Sequence, residues 1–339
     1  MRLPGFALHK ASQKALYLPM LFPTEYSSLS TSALLNLVVE NHSLSKDASI
    51  LFLKRGFNDT YLIQDKDKKY ILRIYKHNWR SIESIETEIK LLKYLKENGI
   101  YVSYPIADTE QQFIQSLEAP EGLRYAVLFS YAEGNQIRKL NNEQAYLLGI
   151  ETGKIHLLTQ NKSLGSTAQN YDIQLQFEKT LKTLKPILTH HIDKYEYLMH
   201  LQSEFSSKFN SIDKTQIGFG ICHGDLQAEN FHVNNSNQFT FFDFDFFGTG
   251  ALIYDIGVFI WYDHKNKPKE IIDAFLRGYQ TQRKLTETEL SLLPYFSTLR
   301  ALFQMTLYCK ISDGKQLPLW PAQQVADFIK KVEKWMANN

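Results

Sequence analysis

The sequence predicts an α+β fold of two lobes: a small antiparallel β lobe with one main helix, and a larger, mainly helical lobe. Three observations support this prediction. The chain has 339 residues, which is the length of about two domains. Its first half carries short β-rich segments around one amphipathic helix. After Gly134 the apolar residues recur mostly at helical spacing.

The small lobe begins with short strands that are separated by turn residues. We predict strands over residues 50–54, 60–64 and 70–75. The sequence Gly-Phe-Asn-Asp at residues 56–59 separates the first pair, and residues 65–69 separate the second pair. Separators of this kind are typical of antiparallel neighbours, so the three strands are expected to form a meander.

One helix is predicted over residues 81–98. Isoleucine and leucine residues recur there at three- and four-residue steps and form a single apolar stripe. Ser81 can cap the start of the helix, and Gly99 follows its end. A further strand is predicted over residues 125–131, and the two lobes are expected to join near residues 129–134.

The larger lobe is predicted to be helical, with two short β-rich interruptions at residues 231–234 and 239–242. The predicted helices cover residues 142–158, 195–210, 269–282, 286–310 and 322–336. We therefore divide the chain into an N-terminal extension (1–22), a small lobe (23–132) and a large lobe (133–339).

The composition excludes several functional classes. The two cysteines exclude a disulfide framework and a cysteine-based zinc site, and they are typical of a cytoplasmic protein. The net charge of +2 gives no reason to expect nucleic acid or a membrane surface as a partner. No apolar stretch is long enough for a transmembrane helix. Pro19 interrupts the one apolar run near the N-terminus, so a secretion signal is not expected, and Met20 is an alternative start. The oligomeric state stays open.

The most informative segment is His-Gly-Asp-Leu-Gln-Ala-Glu-Asn at residues 223–230. Twelve residues separate Asn230 from Asp243. If the two short strands between them form a hairpin, Asn230 and Asp243 lie side by side and Asp225 faces them. Two hard oxygen ligands suit Mg²⁺ that also binds substrate phosphates. The free carboxylate of Asp225 can orient a hydroxyl group and accept its proton during phosphoryl transfer.

This segment resembles the catalytic loop of protein kinases, with Asp-Phe-Asp at residues 243–245 in place of Asp-Phe-Gly. Gly224 and the later Tyr254-Asp255-Ile256 are more similar to the aminoglycoside phosphotransferase family, which includes choline kinases, homoserine kinases and a bacterial stress-response protein kinase. The resemblance covers about residues 23–335. It implies a two-lobed protein kinase-like fold, ATP and Mg²⁺ as cofactors, Asp225 as the catalytic residue, and Asn230 and Asp243 as metal ligands.

The resemblance also implies a phosphate-binding cation on a small-lobe strand, held by a helix glutamate. Arg73 and Glu88 take these roles, with Glu86 as a rival for the second. The plain alternative is that Arg73 is a charged residue on an edge strand and that Glu88 is a solvated helix residue. Asn58 lies in the turn that would cover the phosphates. This turn contains one glycine, so a Gly-x-Gly-x-x-Gly loop is absent.

Further roles follow from the same resemblance. The carbonyl of Ser130 and the N–H of Ala132 would pair with the edge of adenine. Gln227 stands where many relatives carry a histidine near the transferring phosphate. The remaining motif residues have these expected roles: Asp245 as a second metal ligand or a substrate contact, Asp255 as an anchor of the catalytic loop, and His223 as a structural support.

The acceptor is expected to be a small molecule with a hydroxyl group. Only eleven residues separate Asp243 from Asp255, which leaves no room for a long activation segment. A surplus of basic over acidic residues after residue 250 argues mildly against a polycationic aminoglycoside, so an amino alcohol, an amino acid or a sugar-like compound is expected. Aromatic residues could also cage a quaternary ammonium, although they are more often core. A protein Ser/Thr kinase and a non-catalytic nucleotide-binding protein remain alternatives.

Overall fold

The computed structural model describes residues 22–165, 168–262, 267–312 and 320–338, so most of the predicted N-terminal extension lies outside the described residues. The small lobe is built on one antiparallel sheet with the strand order β1-β2-β3-β5-β4. Its strands are β1 (Ser49–Arg55), β2 (Asn58–Asp65), β3 (Lys68–Tyr75), β4 (Gln115–Ala119) and β5 (Gly122–Ser130). The predicted meander is confirmed.

The predicted amphipathic helix is α2 (Ile82–Glu97). The hydroxyl of Ser81 accepts a hydrogen bond from the backbone N–H of Ser84 at 3.2 Å and caps the first turn. Gly99 follows the helix with φ of +81°, a backbone conformation that favours glycine. Its apolar stripe is buried against the sheet and the large lobe.

Two elements of the small lobe were not predicted. Helix α1 (Thr31–His42) packs against the sheet through Leu34 and Val38. The small lobe therefore has two helices, although one main helix was predicted. The apolar residues of α1 lie on most sides of the helix, so they do not form a recognisable stripe. Ser30 caps α1 in the same way that Ser81 caps α2, and this cap is the signal that the sequence does carry. Strand β4 is a short edge strand whose residues are exposed or half-buried, so it lacks an apolar signature.

The large lobe is mainly helical, as predicted. The helices are α3 (Asn142–Thr159), α4 (Ile173–Leu184), α5 (Ile192–Asn210), α6 (Ile253–Trp261), α7 (Lys269–Gln282), α8 (Glu287–Ser312) and α9 (Ala322–Ala337). Of these, α4 was not predicted, and α6 was predicted only through the place of Asp255 just inside a helix. No helix among the described residues is both long and apolar enough to cross a membrane.

Two small sheets lie in the large lobe. The predicted hairpin consists of β8 (Phe231–Val233) and β9 (Phe239–Phe241), in which Phe231 pairs with Phe241. A second sheet has the order β6-β10-β7 and was not predicted. Its strands are β6 (Gln169–Asn170), β7 (Phe219–Cys222) and β10 (Gly248–Ala251). These strands are too short for a period-two pattern to stand out.

The apolar core consists of two clusters. The larger cluster contains the buried stripe of α2 together with residues of α3, α6 and α8, so it extends through both lobes. The smaller cluster lies on the other face of the small-lobe sheet. It contains Leu34 and Val38 of α1 together with Leu72 and Ile74 of β3.

Candidate active site

The catalytic loop, residues 223–230, connects β7 to β8 and is held from below by α6. The carboxylate of Asp255 accepts hydrogen bonds from the backbone N–H groups of His223 at 2.7 Å and Gly224 at 2.8 Å. Gly224 has φ of +83°, and a Cβ at this position would lie 1.9 Å from the carbonyl oxygen of Phe246. Only glycine fits here, and Asp255 fixes the path of the loop as expected.

Asp225 is a buried carboxylate that several donors hold in place. Its Oδ2 accepts hydrogen bonds from Asn230 Nδ2 at 2.7 Å and from Gln227 Nε2 at 3.0 Å. Its Oδ1 forms an ion pair with Arg300 of α8. Burial raises the pKa of Asp225, while Arg300 and then His223 oppose this shift. The result is a buried carboxylate whose two oxygens are both held by protein donors.

Asn230 and Asp243 flank the β8–β9 hairpin, and the backbone N–H of Phe242 donates to the carbonyl of Asn230 at 3.0 Å. The side-chain nitrogen of Asn230 is used by Asp225, which leaves the side-chain oxygen for a hard cation. The carboxylate of Asp243 is partly exposed and lines the interlobe cavity. These two oxygen donors fit Mg²⁺, which binds through few protein ligands together with phosphate oxygens. The described residues contain no larger group of metal-ligating side chains.

Arg73 lies at the centre of a buried group of charges between the lobes. Its guanidinium is 2.9 Å from Asp245 Oδ1, 3.1 Å from Asp243 Oδ1 and 3.4 Å from Glu88 Oε1. Glu88 is buried on α2, whereas Glu86 on the same helix is exposed. The structure thus pairs Arg73 with Glu88, although its shorter contacts are to the two aspartates.

Asp245 has its oxygens occupied by protein donors. In addition to Arg73, it contacts Arg80 at 3.2 Å and accepts a hydrogen bond from Asn58 Nδ2 at 2.5 Å. Burial raises the pKa of Asp245 to about 6, against the opposing effect of Arg73. Asp245 therefore bridges the large lobe to the small lobe, and it is not among the residues that line the interlobe cavity. Asn58 lies in this bridge and not in the wall of the cavity.

A cavity of about 290 Å³ lies between the two lobes. Its walls come from both lobes and include Leu53, Lys54, Ile71, Arg73, Ser103, Phe129, Tyr131, Ala132, Glu229, His232, Phe242 and Asp243. The N–H of Ala132 has no hydrogen-bond partner in the described part of the chain. The carbonyl of Ser130 accepts one bond, from Ser103 Oγ at 2.6 Å, and keeps a second lone pair. Ala132 lines the cavity, whereas Ser130 is not among its lining residues, although its neighbours Phe129 and Tyr131 are.

Sequence reasoning missed three cations of the site. Lys54 Nζ on β1 is 3.8 Å from Asp243 Oδ2. Arg80 forms an ion pair with Glu88. Its position directly before Ser81, the N-cap of α2, is a sequence signal that Arg80 lies near the start of that helix. Arg300 pairs with Asp225 from a helix 75 residues later, and nothing in the sequence signals that contact.

Comparisons with known proteins agree with this geometry. Residues 50–291 match the model of the APH phosphotransferase enzyme family. An uncharacterised protein of Synechocystis is 30% identical over 301 residues, which cover 87% of this chain and 83% of that protein. Two solved structures share the fold. An amicoumacin kinase in complex with AMP-PNP, Ca²⁺ and its ligand has a TM-score of 0.70 and 21% identity, covering 90% of this chain and 94% of that chain.

A microcompartment-associated aminopropanol kinase has a TM-score of 0.74 and 20% identity, covering 91% of this chain and 98% of that chain. The predicted protein kinase-like fold and the predicted family are both confirmed. The family match extends over β1 to β5 of the small lobe and over the catalytic loop of the large lobe. The chain therefore belongs to the APH phosphotransferase enzyme family and is a kinase-type phosphotransferase.

Proposed function

We propose that the protein transfers the γ-phosphoryl group of Mg·ATP to a hydroxyl group of a small molecule, such as an amino alcohol, an amino acid or a sugar-like compound. One observation carries this proposal. The catalytic-loop carboxylate of Asp225 is joined by a hydrogen bond to Asn230, and the carboxylate of Asp243 lies in the wall of the adjoining interlobe cavity.

The cavity would hold the nucleotide between the lobes. Ala132 N–H and Ser130 C=O would bind the edge of adenine, while Arg73 would contact the phosphates. Asn230 and Asp243 would hold Mg²⁺, which supplies neutralising charge to the phosphate oxygens. In this arrangement the guanidinium of Arg73 would release Asp243 and contact a phosphate group. It would keep its ion pairs with Asp245 and Glu88.

Asp225 would act on the acceptor. Phosphoryl transfer passes through a loose transition state, so the protein mainly positions the reactants and stabilises charge. The ionised Asp225 would accept a hydrogen bond from the acceptor hydroxyl and then its proton. Gln227, which donates to the same carboxylate at 3.0 Å, would hold the orientation of that carboxylate.

A small acceptor is favoured over a protein. The residues between Asp243 and Asp255 form a 3₁₀ turn (Phe244–Phe246), β10 and the start of α6. Phe244, Phe246 and Tyr254 of this segment are buried, so it offers no platform for a peptide. The two kinases with the same fold are named for small molecules, which supports the same choice here.

The test is a transfer assay with purified protein, labelled ATP and Mg²⁺. The acceptors are a panel of small hydroxyl compounds and a mixture of serine- and threonine-containing peptides. We expect transfer to a small compound, and Asp225→Asn should lower kcat by about 10²–10⁴-fold while nucleotide affinity is retained. Transfer to peptides alone would favour the protein kinase alternative. Nucleotide binding without transfer to any acceptor would favour the non-catalytic alternative.

A further inference from the structure

A buried series of hydrogen bonds leads from α7 to the catalytic loop. His156 of α3 lies between Tyr279 of α7 and Asp255 of α6, and all three side chains are buried. The Nδ1 atom of His156 is 2.8 Å from the hydroxyl of Tyr279, and its Nε2 atom is 3.0 Å from Asp255 Oδ2. Asp255 in turn accepts the backbone N–H groups of His223 and Gly224. We call Tyr279, His156 and Asp255 the buried network.

Glycines bring α3 and α7 close enough for this contact. A Cβ at Gly149 of α3 would lie 2.0 Å from a backbone oxygen of α7, and a Cβ at Gly278 of α7 would lie 1.9 Å from a backbone oxygen of α3. The two backbones therefore approach to a distance that only glycine allows. His156 lies two turns after Gly149 on α3, and Tyr279 directly follows Gly278.

The hydroxyl of Tyr279 can donate only to His156. The guanidinium of Arg283 donates to the hydroxyl oxygen at 3.2 Å and cannot accept a hydrogen bond. Glu289, the acidic residue beside this guanidinium, forms an ion pair with Arg283 and accepts the N–H of Gly218 at 2.9 Å. No other hydrogen bond joins Tyr279 to a side chain in the described part of the chain. Burial raises the pKa of Tyr279, so the phenol keeps its proton and points it at Nδ1 of His156.

This direction selects one tautomer of His156. An imidazole that accepts at Nδ1 carries its proton on Nε2, and Nε2–H then donates to Asp255. A doubly protonated imidazole would leave the hydroxyl proton of Tyr279 without an acceptor. The opposite tautomer would place a lone pair of Nε2 against a carboxylate oxygen 3.0 Å away, and the two acceptors would repel each other. Burial raises the pKa of Asp255, yet the pKa lies below its ordinary value, mainly because of the hydrogen bond from His156.

We propose that Tyr279 is a positioning residue for phosphoryl transfer. Its hydroxyl fixes the Nε2–H tautomer of His156, which keeps the carboxylate of Asp255 directed at the backbone N–H groups of the catalytic loop. Asp225 directly follows Gly224, so the place of its carboxylate depends on those N–H groups. This inference rests on the proposed function. It gives a role in that function to α7, a helix that does not line the interlobe cavity.

The first test is the tautomer, which needs no acceptor substrate. The full chain is labelled with the nitrogen isotope in its histidines, and long-range nitrogen–proton NMR spectra are recorded at neutral pH. The signal that disappears in His156→Gln belongs to His156. We expect the proton on Nε2 in the parent and a mixture of protonation states in Tyr279→Phe. A parent protein with the proton of His156 on Nδ1, or on both nitrogens, would overturn the inference.

The second test measures the catalytic loop by hydrogen exchange. The amides of His223 and Gly224 should exchange about tenfold faster in Tyr279→Phe, while those of α2 keep the parental rate. The matched control is Tyr94→Phe, which removes a hydroxyl bond of 3.2 Å to the carbonyl of Leu158 and should not change exchange in the loop. Unchanged loop exchange in Tyr279→Phe would contradict the inference, and so would faster exchange throughout the chain, which indicates a loss of global stability.

Two replacements of His156 separate positioning from packing. Glutamine can place its amide nitrogen where Nε2 lies and donate to Asp255, whereas the shorter asparagine reaches only the place of Nδ1. His156→Asn should lower kcat of Mg·ATP hydrolysis, in which water is the acceptor, by about tenfold without changing KM for ATP. His156→Gln should recover most of this loss. Equal losses of kcat in both variants, or a change in KM alone, would refute the positioning role. If the parent neither transfers nor hydrolyses, the proposed function fails, and the tautomer and the loop exchange still decide the inference.

Discussion

Arg300 of α8 donates to the carboxylate of Asp225, and both residues are buried. A second contact, at 3.5 Å, joins the Arg300 guanidinium to the carbonyl of Gly224 in the same loop. Burial raises the pKa of Asp225, and the charge of Arg300 is the main opposing influence. The ionisation of Asp225, the proposed catalytic residue, therefore depends on a helix far from it in sequence.

Replacing Arg300 should change the pH profile of the reaction. In the proposed mechanism Asp225 accepts a proton only when it is ionised, so activity should be lost as pH falls through its pKa. Arg300→Gln removes the opposing charge and raises that pKa further, so the acidic limb of kcat/KM should move to higher pH by about one unit or more. Arg300→Lys should move it less. An acidic limb at the same pH in all three proteins would show that Arg300 has only a structural role.

Substitutions of Asp243 and Asp225 should have different effects on nucleotide binding. Asp243→Ala should weaken AMP-PNP binding in the presence of Mg²⁺ by about tenfold or more, since it removes a hard oxygen ligand and one of the two candidate metal contacts. Without Mg²⁺ the variant should bind at least as tightly as the parent, because Asp243 no longer competes with the phosphates for Arg73 and Lys54. Asp225→Asn is the control and should retain Mg²⁺-dependent affinity. Equal Mg²⁺ dependence in Asp243→Ala and the parent would refute the metal assignment.

Asp245 should make nucleotide affinity sensitive to mildly acidic pH. Its pKa is raised to about 6, so its pairs with Arg73 and Arg80 are present at higher pH and weaken as pH falls through that value. AMP-PNP affinity of the parent should therefore decrease below about pH 6. Asp245→Asn should bind more weakly at neutral pH and lose this dependence. Binding is the suitable measurement, because turnover also depends on the ionisation of Asp225.

Two glycines with the same backbone conformation should respond differently to alanine. Gly99 and Gly224 have φ of +81° and +83°, but a Cβ at Gly99 meets no atom within 4 Å. Gly99→Ala should lower the free energy of unfolding by about 1 kcal/mol, the cost of a left-handed alanine. Gly224→Ala should cost at least about 3 kcal/mol, because its Cβ overlaps the backbone of Phe246. Urea unfolding of both variants measures the difference, and equal losses would contradict the close packing of the loop.

The hairpin between Asn230 and Asp243 could be predicted because its geometry is local. Two short β-rich runs and a turn bring these residues together without any distant contact. The choice of Glu88 over Glu86 as the partner of Arg73 follows from the helix stripe, since Glu88 directly precedes Ile89 in the chain. In each case the signal lies within one short segment of the sequence.

The partners of Arg73 could be predicted only in part, because most of them lie far from it in the sequence. Asp243 and Asp245 reach Arg73 through the packing of one lobe on the other, and no spacing in the sequence encodes those distances. The contact between Arg300 and Asp225 depends in the same way on how α8 packs against α6. Helix α1 was missed because its apolar residues do not form a stripe.

The two apolar clusters do not coincide with the two lobes. Helix α2 shares its core with the large lobe, whereas α1 and the outer face of the sheet form a separate unit. In β3, Tyr75 belongs to the first unit, and Leu72 and Ile74 belong to the second. Amide protons of α1 should therefore exchange through local opening that leaves the catalytic loop folded, while those of α2 exchange only with global unfolding. Strand β3, which carries Arg73, therefore lies between a unit that is expected to open locally and a unit that is expected to open only when the whole protein unfolds.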